Sequence, residues 1–239
     1  MMPSHTLGVQ RLYTKKLTTY RRFISFFRSR EALRTLLERS GLLRPSLRIL
    51  DAGAGFGTAT FAVLDALRRQ NMEPETIDGF DLTRAMLARF QAELDSRGII
   101  GVHLTQANVL ELDQQLPSSC GNYDLILSAS MLEYVATRDL SKALSALGAR
   151  LAPQGTLLVV ITRKNWITKI LIEWWWQAAR YSRRELRETF AATGLRDLIF
   201  SRFPARYFWQ NFSNHVVVAT RAESVQEITG PGEESISMT

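Results

Sequence analysis

The sequence predicts an α/β domain built on a doubly wound, mostly parallel sheet with helices on both faces. Three observations lead there. Short apolar runs alternate with amphipathic stretches from Leu47 onward, and a glycine-rich turn joins the first run to the first helix. The 239 residues, 46% apolar and 22% charged, supply one sizeable core and leave no room for a low-complexity or wholly disordered chain.

The elements follow in order. Residues 47–50 read as a buried strand, 57–69 as a helix, 76–80 as a strand and 84–96 as a helix. Strands at 102–104 and 123–128, a helix at 140–151 and a strand at 156–162 continue the alternation. The apolar run 157–161 is unbroken, as a strand covered on both faces requires. The rhythm then breaks at 163–182, an aromatic-rich insertion holding Trp166, Trp174, Trp175, Trp176 and Tyr181. A helix at 183–192 is expected to close on a left-handed Gly194. Strands at 196–203 and 213–220, joined through 204–211 in a hairpin-like return, would complete the sheet.

Charge divides the chain into three parts. Residues 1–48 carry +9, whereas 222–239 carry −4 and read as a disordered acidic tail. Residues 1–47 therefore form a basic arm or cap, 48–221 the main domain and 163–182 a lid within it. The arm's cations can follow the phosphates of a nucleic acid or an anionic membrane surface. Its apolar residues Leu12, Tyr13, Leu17, Tyr20, Phe23, Ile24 and Phe27 recur at helical spacing, which favours plain amphipathic helices with solvated arginines.

Cys120 is the sole cysteine, so an internal disulfide and a multi-thiolate zinc site are both excluded. Residues 1–10 lack a signal-like apolar region, and 167–176 is short and interrupted by Lys169 and Glu173. A soluble cytoplasmic protein is expected.

The sharpest local signal is Leu50-Asp51-Ala52-Gly53-Ala54-Gly55-Phe56-Gly57. A strand runs into glycines that let backbone N–H groups approach a nucleotide-like ligand. The third glycine falls one residue too early for the dinucleotide pattern G-x-G-x-x-G. Asp51 would repel a pyrophosphate and suits a cationic ligand. Asp81, at the tip of the next strand, can accept both hydroxyls of a ribose, or alternatively cap the following helix.

These motifs resemble the class I S-adenosylmethionine-dependent methyltransferases. The glycine loop, Phe80-Asp81-Leu82-Thr83, Ala107-Asn108-Val109, Tyr123-Asp124-Leu125-Ile126-Leu127-Ser128 with Met131-Leu132-Glu133-Tyr134-Val135, and Leu151-Ala152-Pro153-Gln154-Gly155-Thr156-Leu157 lie in register with that family over about residues 48–220. The resemblance implies a Rossmann-like, seven-stranded sheet whose last strand is antiparallel. It implies S-adenosylmethionine as cofactor, with its methionine part over Asp51, Gly53, Ala54, Gly55 and Gly57. The ribose would lie on Asp81, the adenine beside Leu82, Asn108 and Val109, and the methyl channel beside Ser128. An aspartate is common where Asn108 stands, and the substitution removes one charge.

The acceptor side is read more thinly. Where many small-molecule members carry a histidine, this chain has Glu133-Tyr134, and Glu133 reads either as a proton acceptor or as a surface glutamate. His215 and Tyr20 are the other catalytic candidates, and His103 reads as structural. No cluster of ligand-type residues points to a metal. Tyr13, Tyr20, Trp166, Trp174, Trp175 and Tyr181 are expected to line an apolar or aromatic acceptor pocket, although the tryptophan segment serves equally well as a homodimer surface. The expected function is in-line transfer of a methyl group to an apolar or aromatic small-molecule acceptor, lipid-like ones included. An RNA methyltransferase using the basic arm, and a non-catalytic cofactor-binding protein, are the alternatives.

Overall fold

The structure, a computed structural model, describes residues 29–117, 119–165 and 179–221. Seven strands form one sheet in the order β3-β2-β1-β4-β5-β7-β6. They are β1 (Arg48–Ala52), β2 (Thr76–Asp81), β3 (Val102–Gln106), β4 (Tyr123–Ala129), β5 (Leu151–Thr162), β6 (Leu195–Ser201) and β7 (Asn214–Arg221). All neighbours pair in parallel except β7, which runs antiparallel to both β5 and β6. The chain builds outward from β1 to β3 and then resumes at β4 on the other side of β1. That reversal opens a crevice at the carboxyl ends of β1 and β4, where doubly wound sheets bind ligands.

The helices cover both faces because the strands are apolar on both. On one face α1 (Ser29–Ser40) and α2 (Thr58–Arg69) join Leu33, Leu36 and Leu37 to Ala62, Val63 and Leu67 in one core with Ile49, Leu125 and Leu158. Burial of each leucine contributes roughly 1.5–3 kcal/mol. On the other face α5 (Leu140–Ala149) and α6 (Arg183–Ala191) pack Leu144, Leu147, Leu186 and Phe190 onto Ile126, Leu157 and Val159. Between β2 and β3 lies α3 (Arg84–Ser96), whose Phe90 meets Phe61 of α2 edge to face at 5.3 Å. The short α4 (Leu112–Gln115) follows β3.

Three expectations need correction. Gly194 does not adopt a left-handed conformation. Instead α6 ends at Ala191, and the Thr193 hydroxyl donates to the Phe190 carbonyl while accepting from the Leu195 N–H, which closes the turn without a glycine. The strand expected at 156 begins at Leu151, because Leu151 already pairs with Tyr123 across a register shift that precedes Leu125. The connection at 204–211 is helical rather than a simple return: α7 (Phe208–Ser213) and a turn at Ala205–Tyr207 dock on α1. Tyr207 is buried there, its hydroxyl 3.3 Å from Thr35 Oγ1.

Several sequence expectations fall outside the described residues: the first part of the basic arm with Tyr13 and Tyr20, the stretch bearing Trp166, Trp174, Trp175 and Trp176, and the acidic tail. Within the described part of the arm, Arg30 pairs with Asp65, Arg34 with Glu38 and Arg44 with Asp124, and Arg48, at the start of β1, pairs with Glu75. Among the described residues no helix is long and apolar enough to cross a membrane.

Candidate active site

The glycine loop leaves β1 and is tied at once to β2. Gly53 and Ala54 donate their N–H groups to the Phe80 carbonyl at 2.9 and 2.8 Å, and the Gly57 N–H closes onto the Ala54 carbonyl at 2.7 Å. Gly57 stands before α2 with φ 80°, and a Cβ there would lie 2.1 Å from the Phe90 ring. Both facts demand glycine. At Gly55 a Cβ would stand at ordinary contact distance from Met86 at 3.4 Å, the Gly53 carbonyl at 3.9 Å and the Asp81 carboxyl at 4.0 Å, so nothing crowds the loop on the side of Asp81. Gly53 is closed instead by Met131, a contact that nothing in the sequence signalled.

Asp81 ends β2 beside this opening. Its Oδ2 accepts from the Gly55 N–H at 3.0 Å and its Oδ1 from the Thr83 N–H at 2.8 Å. Thr83, not Asp81, holds the cap position of α3. The carboxyl therefore braces the loop rather than the helix. Asp51 is 1% exposed, and its Oδ2 accepts from the Thr60 N–H and hydroxyl at 3.0 and 2.6 Å, which ties the loop to the first turn of α2. Burial, and secondarily the charge of Asp81, push its pKa up to about 6. Burial likewise raises that of Asp81. Two acids crowding one loop favour a cation beside them and oppose an anion. Leu82 is half-buried beside Asp81, Val109 is buried, and Asn108 Oδ1 accepts from the Leu110 N–H at 3.1 Å.

A second polar group lies at the carboxyl ends of β4 and β5. Glu133 is only 4% exposed, in a short turn after β4, so the surface reading of this residue is overturned. Leu132 draws the turn into the core, and the carboxyl goes in with it. Its Oε1 accepts from the Thr162 hydroxyl at 3.0 Å, while Oε2 is buried with no partner. Burial raises its pKa to about 7. Ser128 Oγ and the Tyr181 hydroxyl are also buried without partners. Tyr181 is tied in by its N–H, which donates to the Thr162 carbonyl at 3.0 Å.

His215 is the second residue of β7, at the same edge, and is 5% exposed, with Nε2 3.2 Å from the Tyr181 carbonyl. That acceptor requires the proton on Nε2. Burial first, then Arg163, lowers its pKa to about 4 and keeps the ring neutral. His103 stands on the solvent side of β3, its Nδ1 3.3 Å from Asp78. Among the described residues no group of His, Cys, Asp and Glu could hold a metal.

A strand-end acid beside a glycine loop, on a sheet of order 3-2-1-4-5-7-6, now meets its counterpart in known proteins. The methyltransferase domain family matches residues 20–198. The chain belongs to that family. The magnesium protoporphyrin IX methyltransferase of Synechocystis PCC 6803, solved with bound SAM, aligns at a TM-score of 0.66 over 92% of this chain and 99% of its own, at 16% identity. The CMeT domain of the citrinin polyketide synthase aligns at 0.57 over 73% of this chain and 46% of its own, at 20% identity. At such identities the likeness speaks to the fold. In sequence, the non-reducing polyketide synthase subA of Metarhizium robertsii is 31% identical over 160 residues, 63% of this chain and 7% of that protein. The highly reducing polyketide synthase resH of Aspergillus sclerotiorum is 30% identical over 126 residues, 51% of this chain and 5% of that protein. The chain thus spans less than a tenth of the length of these relatives.

Proposed function

We propose that this methyltransferase domain uses S-adenosylmethionine to methylate an apolar or aromatic small molecule that carries a protic nucleophile. The observation that carries the reading is the pairing of Gly55 with Asp81 across the carboxyl ends of β1 and β2, with Asp51 beside them. The open side of Gly55 accommodates a close-packed ligand backbone, the Asp81 carboxyl is placed for a ribose, and the two acids suit a sulfonium and an ammonium. A pyrophosphate would meet both carboxyls, which disfavours a nicotinamide dinucleotide.

S-adenosylmethionine supplies an activated methyl group: its S–CH3 bond breaks, the electron pair stays on sulfur, and the acceptor–CH3 bond forms in line. The protein's tasks are positioning and exclusion of water. Gly53, Ala54, Gly55 and Gly57 would hold the cofactor's methionine end, Leu82, Asn108 and Val109 its base, and Ser128 the path of the methyl. The acceptor's proton would go to Glu133 Oε2, the buried oxygen that has no partner. His215 is the weaker candidate, because its Nε2 faces the Tyr181 carbonyl.

Calorimetric titration of the chain with S-adenosylmethionine, S-adenosylhomocysteine and NADH tests the reading. Both sulfur compounds should bind and NADH should not. Asp81→Ala should weaken S-adenosylmethionine by about 10- to 100-fold, the loss of charge-assisted hydrogen bonds. Full affinity in that variant would remove the ribose assignment, and binding of NADH alone would remove the cofactor.

A further inference from the structure

The chain leaves β4 through a strained turn. Ser130 takes a left-handed φ of 59°, uncommon for a residue with a Cβ, and its N–H donates to the Val160 carbonyl at 2.9 Å. The turn that follows, Leu132–Tyr134, thereby meets the end of β5, where Glu133 reaches Thr162. A second segment, at 179–181, holds the same two residues. The Ala179 N–H donates to the Glu133 carbonyl at 2.8 Å, and the Tyr181 N–H to the Thr162 carbonyl at 3.0 Å. The Tyr181 carbonyl in turn accepts from the Lys164 N–H at 2.9 Å and lies 3.2 Å from His215 Nε2.

With both backbones fixed, the freedom left to Glu133 lies in its side-chain torsions. The Thr162 hydroxyl removes it by donating to Oε1 at 3.0 Å, with Thr162 3% and Glu133 4% exposed. The strand has no need of that hydroxyl. Thr162 closes the run Leu157-Leu158-Val159-Val160-Ile161, where an isosteric valine would continue the sheet as well and bury no polar group. A bond made for stability alone would be joined by one to the other carboxyl oxygen, because each polar atom left dry costs free energy. Here Oε2 is left without a partner. Burial sets the direction in which the Glu133 pKa moves; its own N–H, the Thr162 hydroxyl and, more weakly, the Ser130 hydroxyl act against it, with no charged side chain among them. Burial also holds the Tyr181 hydroxyl above its ordinary value of 10.0 and brings His215 down to about 4, so both neighbours are neutral where Glu133 titrates.

We propose that Thr162 is the positioning residue of this site: its hydroxyl holds Glu133 Oε1 in one orientation, so that Oε2 keeps its lone pairs turned to the methyl acceptor. This rests on the methyl-transfer reading and deepens it. Thr162 acts through Glu133 rather than on the reacting atoms, and its bond has two effects. It fixes the terminal carboxyl torsion, which is otherwise broad. It also favours the ionised carboxyl, the form that can take the acceptor's proton. Because residues 179–181 hold both backbones, the insertion that ends there sets where the base stands.

The test is urea unfolding of the full chain from about pH 4 to about pH 10, with Glu133→Gln made in the wild type and in Thr162→Val and Thr162→Ser backgrounds. The difference between each background and its Glu133→Gln partner isolates the titration of Glu133. In the wild type that difference should stop growing at about pH 7. Thr162→Val keeps the shape and removes the donor, so growth should continue for about one pH unit or more, the worth of a hydrogen bond to a charged group. Thr162→Ser should restore the wild-type limit, and Thr162→Ala replaces Thr162→Val if the valine variant does not fold. The rise of turnover with pH should move by the same interval in Thr162→Val, with S-adenosylmethionine affinity unchanged by calorimetry. An unmoved limit in Thr162→Val, or an equal shift in Thr162→Ser, would overturn the proposal. So would a turnover profile that stays in place while the stability limit moves, since Thr162 would then be a structural partner only. Absence of S-adenosylmethionine binding in the wild type would sink the methyl-transfer reading instead, whatever the stability curves show.

Discussion

Glu133 joins one unpartnered oxygen to a pKa of about 7, and its two protonation states predict separate measurements. A carboxylate base works only when ionised, so turnover should rise with pH through about 7. Glu133→Gln should lose that rise and about 10²- to 10⁴-fold in kcat, with S-adenosylmethionine affinity intact. Stability runs the other way. The folded pKa lies above the unfolded value of 4.5, so the folded state keeps a proton that the unfolded chain releases. This contribution is fully present below pH 4.5 and is lost as pH rises to about 7. The difference in denaturant stability between Glu133→Gln and wild type should therefore grow over that window and level off above it. A flat difference would show that the carboxyl is not desolvated. Asp51 and His215 titrate in overlapping ranges, and the subtraction cancels them. Of these residues the sequence marked Glu133 and His215 as candidates, but burial decided their states. Thr162 and Met131 bear no signature, because a threonine ending an apolar run and a methionine after a strand have many uses.

Between residue and molecule stands the strand-loop-helix unit from β1 to α2. Its turn is built so tightly that two glycines of the same left-handed type should respond differently to alanine. Gly98→Ala meets open space at φ 61° and should cost about 1 kcal/mol, the backbone strain alone. Gly57→Ala adds a Cβ 2.1 Å from Phe90 to similar strain, and should cost roughly 2–6 kcal/mol in urea unfolding. Equal losses would mean that Phe90 moves aside freely. The strand and helix of this unit were legible because apolar periodicity and glycine are local signals, although β1 runs on to Ala52 where the sequence suggested an end at Leu50. The α6 terminus was not, since a threonine hydroxyl did the work expected of a glycine.

For the whole molecule, a ligand bridging the carboxyl ends of β1, β2 and β4 binds only the folded chain and should stabilise it. At 100-fold excess over Kd, S-adenosylmethionine should add about 2.7 kcal/mol, raising Tm by roughly 5–10 °C. Asp81→Ala at the same concentration should lose most of that gain, and a Tm insensitive to the cofactor would contradict the site as drawn. The sequence by itself determined the alternation of strands and helices, the glycine loop, Asp81 and so the family, because each depends on neighbours within a few residues. The tertiary structure alone decided which polar groups lose their water. Glu133, Tyr181 and His215 come from segments far apart in the chain, and they are linked through Thr162 and the Tyr181 backbone because β7 runs antiparallel between β5 and β6 and returns its amino end to the carboxyl edge of the sheet. Charge and proton affinity there are set by desolvation and by those distant partners, which no local pattern encodes.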